Sequence, residues 1–205
     1  MNPATTVTLA LTGASGMSYA LCLLENLLKA GRTVYLLYSQ AAQIVARQEL
    51  GLDFPSSSRD LQLQWRERYA HFPGQLQVFG REEWFAPIAS GSSVADAMVV
   101  CPCTMGTLAA IAAGMSDNLI ERAADVTLKE QRKLILVPRE TPFSVLHLEN
   151  MLKLARLGAV ILPANPGFYH HPETVQGVVD FVVARVLDHL GVPHQLMARW
   201  GETNN

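Results

Sequence analysis

Along the chain, short unbroken apolar runs alternate with longer stretches in which apolar residues recur every three to four positions. The runs predict strands at Val7–Leu11, Thr33–Tyr38, Gln75–Phe79, Ala97–Cys101, Leu134–Val137 and Ala159–Leu162. The helical period predicts helices at Ser18–Ala30, Gln40–Glu49, Met105–Ala113, Leu119–Lys133, Ser144–Leu157 and Glu173–Leu190. Runs such as MVV and LILV have no polar face, which implies strands buried on both sides, as in a parallel sheet with helices on each face. The expected fold class is therefore α/β, an open doubly wound parallel sheet, in a single domain over residues 1–205. Ligands of such sheets lie beyond the carboxyl ends of the strands, so the loops that follow strands are where chemistry is sought.

Two segments break the alternation. Residues 52–74, polar and aromatic, read as a surface insertion with some helix, and residues 191–205 read as a C-terminal extension with a loose end from Gly201. His194–Trp200 is amphipathic and suited to packing on a neighbouring subunit. The 205 residues are 49% hydrophobic and 17% charged, enough to bury a sizeable core. A net charge of −2 with scattered Lys and Arg gives no field for nucleic acid. No apolar stretch reaches the roughly 18 residues a membrane span requires, and no charged region precedes an apolar leader, so a soluble cytoplasmic protein is expected. Cys22, Cys101 and Cys103 are odd in number and lack framework spacing, which argues against disulfides. Cys101 and Cys103 fit buried thiols at a strand end better than metal ligands, and His170 and His171 have no carboxylate at ligand spacing; no metal site is expected.

The strand-end loops carry the candidate chemistry. The first strand runs into Gly13-Ala14-Ser15-Gly16, where glycines permit a tight turn and the first amides of the next helix can meet an anion. The same sequence also suits a plain strand-to-helix turn, and its spacing is not that of the dinucleotide GxGxxG motif. Ser39 after the second strand can cap a helix or donate to a phosphate. Thr104-Met105-Gly106-Thr107 repeats the pattern of small hydroxyl residues and glycine after the fourth strand. Two such helix starts suit a flat heterocycle carrying a phosphate, such as FMN. Arg139 and Glu140, held between Pro138 and Pro142, read as a surface ion pair or as an anion grip with an adjacent acid. After the sixth strand, Tyr169 reads as a packed loop residue or as a phosphate donor, ahead of a helix carrying Arg185.

Together, TGASG, Ser39, PCTMGTLA, VPRETP, NPGFY and the Arg185 helix resemble the flavin prenyltransferase family, the UbiX-like proteins, over almost the whole chain. That resemblance implies a Rossmann-like or flavodoxin-like fold, FMN as cofactor and assembly into a dodecamer. It places FMN binding on Gly13, Ala14, Ser15, Ser39, Thr104, Met105, Gly106, Thr107 and Arg139, and prenyl-phosphate binding on Lys129, Tyr169 and Arg185. The catalytic set it implies is Ser15, Glu49, Trp84 and Glu140, with Glu49 paired to Ser15 as a proton relay and Trp84, near Tyr169, offering its π face to the allyl fragment. The implied reaction moves a dimethylallyl group from dimethylallyl monophosphate to N5 and C6 of reduced FMN without a metal, the chain having no DDxxD motif. The product would serve a UbiD-like decarboxylase, in ubiquinone synthesis. The loop carrying Trp84, Ser90 and Gly91 is expected to close over the site, with Arg81, Glu82 and Glu83 at an oligomer contact. Two other readings remain open: an FMN-dependent decarboxylase of the cysteine-peptide type, whose PxMNxxMW-type segment is replaced here by LPANPGF, and a non-catalytic flavin carrier.

Overall fold

The computed structural model describes residues 4–55 and 57–197. Its strands are β1 (Thr6–Leu11), β2 (Thr33–Tyr38), β3 (Gln75–Phe79), β4 (Ala97–Cys103), β5 (Lys133–Pro138) and β6 (Val160–Ile161). Its helices are α1 (Met17–Lys29), α2 (Gln40–Leu50), α3 (Ser58–Arg68), α4 (Met105–Ala113), α5 (Leu119–Lys129), α6 (Val145–Arg156) and α7 (Val175–Leu190). The strands form one parallel sheet in the order β3-β2-β1-β4-β5-β6. The chain winds outward from β1 through β2 to β3, then crosses back to β4 and winds the other way. The topological switch point therefore lies between β1 and β4, paired from Val7 opposite Ala97 to Ala10 opposite Val100.

Period-two alternation explains why these strands have no polar face. Leu9 and Leu11 point into a core shared with α1, α2, α3 and α7, whereas Ala10 points into a second core with α4, α5 and α6. Val99 and Cys101 against Met98 and Val100, and Ile135 and Val137 against Leu134 and Leu136, divide in the same way. The doubly wound α/β class expected from the sequence is the architecture observed.

The expected Leu119–Lys133 helix ends at Lys129 because Lys133 already begins β5, and β6 is only Val160–Ile161. The insertion contributes α3, which buries Leu61 and Trp65 against the core; its apolar positions are too few for a clear stripe, so the sequence shows them only as isolated residues. Trp200 and the 201–205 tail lie outside the described residues. Among the described residues no helix is long and apolar enough to cross a membrane.

Candidate active site

All the strand-end loops singled out by sequence emerge at one edge of the sheet. The four inner strands deliver Ser39 from β2, Gly13–Ser15 from β1, Thr104–Thr107 from β4 and Arg139 from β5. At a strand spacing of about 4.8 Å these loops span about 14 Å around the switch point. A residue that sequence reasoning overlooked ties the crevice together. Buried Thr12 donates its hydroxyl to the Pro102 carbonyl at 2.7 Å and accepts the Thr104 amide at 2.8 Å, locking the loops after β1 and β4 to each other. Its signal was a polar residue closing an apolar strand immediately before a glycine.

Each hydroxyl in the crevice has a local task. Ser39 caps α2 by accepting the Ala42 amide at 3.1 Å. Thr104 caps α4 through the Thr107 amide at 3.1 Å and shares a 2.9 Å hydrogen bond with the Thr107 hydroxyl. Both oxygens keep further hydrogen-bonding capacity, since a hydroxyl is one donor and two acceptor sites. Ser15 is exposed and makes no side-chain hydrogen bond among the described residues. Gly106, in the first turn of α4, has no heavy atom within 4 Å of where a Cβ would lie. Beside these loops, Ser39, Arg81, Thr107, Asn118, Ile120 and Glu121 line a cavity of about 140 Å³. Neutral hydroxyls, an open helix start and the exposed Arg139 guanidinium suit a polar heterocycle bearing an anionic tail, and so fit FMN.

Two details of the opening turn differ from the sequence reading. The first amides of α1 are not open: the Glu49 carboxylate accepts the Gly16 amide at 3.0 and 3.1 Å and the Met17 amide at 2.8 Å. Glu49 thus occupies the positive end of α1 and bonds to backbone, where a pairing with Ser15 was expected. Gly13 is required by packing, because a Cβ there would lie 2.3 Å from the Ala41 Cβ on α2. Gly16 has φ +115°, a conformation that favours glycine.

Other candidates do not meet within one chain. Trp84 follows β3 and Tyr169 follows β6, the two outermost strands, five strand spacings or about 24 Å apart along the carboxyl edge, so the expected proximity of these rings is not met within one chain. α5 runs from the Arg81 carbonyl, which accepts the Leu119 amide at 2.8 Å, back to the start of β5. Lys129, its last residue, therefore sits at the far edge, about 17–20 Å from Arg139 by the length of β5. There it forms an ion pair with Glu130 beside Gly91. Arg185 lies in the second half of α7, paired with Asp188 at 2.8 Å, toward the far edge, where the last residue of α7, Leu190, accepts the Ala4 amide just before β1. Arg139 and Glu140 form no ion pair with each other; the Glu140 carboxylate accepts the Thr141 amide at 3.0 Å. Glu83, assigned by sequence to an oligomer contact, accepts the Gly80 amide and the Ser58 hydroxyl within the chain. Tyr169 is 56% exposed and meets Phe181 edge-on at 5.7 Å.

Burial disfavours the thiolate form of all three cysteines. Burial pushes the Cys103 thiol up to about 12 and raises Cys101 further, and Cys22, also desolvated and beside Asp180, rises to about 12.

The fold and site define a flavin-binding α/β protein with an anion-receptive switch point, and comparison with known proteins places it further. The Flavoprotein family model matches residues 1–187. The flavin prenyltransferase UbiX of Pseudomonas aeruginosa is 56% identical over 196 residues, covering 96% of this chain and 94% of that protein. The solved structure of AnUbiX (PadA1) in complex with FMN and dimethylallyl pyrophosphate superposes with a TM-score of 0.86 at 37% identity, covering 98% of this chain and 100% of that one. A dodecameric FMN-dependent UbiX-like decarboxylase from Escherichia coli O157:H7 superposes with a TM-score of 0.82 at 42% identity, covering 95% and 98%. This chain belongs to the flavin prenyltransferase family within the flavoproteins. Membership makes it an FMN-using enzyme of the prenyltransferase type.

Proposed function

We propose that the protein transfers a dimethylallyl group from dimethylallyl monophosphate to N5 and C6 of reduced FMN, in a homo-oligomer whose site is completed by a second copy. The carrying observation is the division of the expected site between the two edges of the sheet. The switch-point crevice holds the hydroxyls and Arg139, while Lys129 lies at the far edge. A far edge from one protomer set against a crevice from another reunites the two halves. Exposed Trp84 and Phe85 after β3, Phe168 and Tyr169 after β6, and Val145, Leu146, Leu148 and Leu152 along α6 give the chain apolar surfaces for such contacts. A dodecameric relative supports this arrangement.

Bound reduced FMN supplies the nucleophilic N5 and C6. Ser39, Thr104, Thr107 and the Gly13–Ser15 turn hold and orient it, and Arg139 meets its polar edge. Lys129, Tyr169 and Arg185 face the prenyl phosphate, where cationic and phenolic donors stabilise charge as the allylic carbon–oxygen bond breaks and the electron pair leaves with phosphate. Trp84 stabilises the electron-poor allyl carbons through its π face at the cation–π scale of about 0.5–2 kcal/mol. The flavin gives up one proton at N5 and one at C6 as the two bonds form, one proton is added to the allyl double bond as the ring closes, and the released phosphate carries away the net one, with Glu140 beside it and Ser15 close to the reacting ring. The flavin gains C5H8 overall and passes to a UbiD-like decarboxylase. Because the leaving charge is met by side chains, no metal is required.

Phosphate release tests this reading. Protein with reduced FMN and dimethylallyl monophosphate, kept free of oxygen, releases phosphate in a FMN-dependent manner that a chelator leaves unchanged. Release only from the diphosphate, or only with added magnesium, contradicts it.

A further inference from the structure

We propose that Arg81 reads the phosphate of FMN in the cavity between the starts of α2, α4 and α5; this rests on the flavin reading above and names a residue outside the expected FMN set. The cavity's lining joins Ser39, the cap of α2, and Thr107, in the first turn of α4, to Arg81, Asn118, Ile120 and Glu121. Its volume of about 140 Å³ is well below the roughly 300 Å³ at which whole-ligand pockets begin, but several times the roughly 30 Å³ share of a water molecule. That is room for the head of a ligand and not for its ring system. Three helices bring their positive ends to this point, which favours an anionic head.

The backbone around Arg81 is fixed on both sides. The Glu83 carboxylate accepts the Gly80 amide at 2.6 Å, and the Arg81 carbonyl accepts the Leu119 amide at 2.8 Å. Its guanidinium, by contrast, forms no ion pair or side-chain hydrogen bond among the described residues, although Glu121 lies in the same lining. The Glu121 carboxylate is instead held by the Asp117 amide at 2.8 Å. A pinned backbone with an unneutralised fork of five donors beside two hydroxyls suits bidentate recognition of a phosphate. The two helix caps leave Ser39 and Thr107 able to complete the shell.

Titrating FMN and riboflavin into the full-length protein, followed by flavin fluorescence, separates phosphate recognition from ring binding. Arg81→Gln is expected to weaken FMN binding roughly ten- to hundred-fold while riboflavin affinity stays within about twofold of wild type. Arg81→Lys restores part of the loss. Equal weakening of both flavins, or no change in either, overturns the assignment. Wild-type protein that binds neither flavin overturns the flavin reading itself, an outcome distinct from the failure of Arg81 alone.

Discussion

At the scale of single residues, the site depends on side chains that satisfy backbone groups before they meet any ligand. Thr12→Val keeps the shape of the side chain but strands the Thr104 amide and leaves the Pro102 carbonyl only the longer bond from the Thr12 amide at 3.3 Å. A loss of about 1–3 kcal/mol is expected in denaturant unfolding, together with weaker FMN binding, and Thr12→Ser should recover much of both. Glu49→Gln should cost about 1 kcal/mol, because the charged acceptor at the start of α1 is removed; unchanged stability with lost turnover would favour a relay role over this capping role. Asp96 makes a pH prediction. Burial opposes its charged form, but the Thr5 hydroxyl and the Thr6 and Thr5 amides outweigh burial and hold the carboxyl below its usual range. Its folded pKa is depressed, so its stabilisation is fully present above the unfolded value and is lost as pH falls through the folded value. Melting curves of wild type and Asp96→Asn should therefore differ at pH 7 and converge as pH falls below the ordinary carboxylate range.

At the scale of elements, strands and helices were legible because each strand carries apolar residues for two cores, and alternation such as Leu9 and Leu11 against Ala10 leaves no ambiguity about burial. The strand-end residues of the crevice were legible because strands that alternate with helices run parallel, so the loops after them share an edge. Glu49 was not, because its target is the backbone of a turn 32 and 33 residues away, and no spacing rule records that distance. Gly13 was legible as necessary but not for its cause, since the contact with Ala41 arises from how closely α2 approaches β1. Gly13→Ala should destabilise by roughly 1–3 kcal/mol through overpacking, and Ala41→Gly in the same chain should relieve part of that cost. If the double variant is no more stable than Gly13→Ala alone, the contact is not the reason for the glycine.

At the scale of the whole molecule, the separation of Lys129 from Arg139 by the length of β5 is what the proposed site between two copies has to bridge. Neither residue type nor spacing in the sequence reveals this, because it depends on which edge a returning helix reaches. A charge on the exposed face of α6, as in Leu148→Glu, should shift the oligomer toward smaller species in sedimentation and lower turnover with it. Mixed oligomers of Lys129→Met and Arg139→Met chains should regain activity that neither variant shows alone, provided subunits are mixed before assembly. The most direct measurement is the mass of the flavin extracted after protein, reduced FMN and dimethylallyl monophosphate react without oxygen. An added C5H8 unit is expected; FMN recovered unchanged from folded, flavin-loaded protein would contradict prenyl transfer.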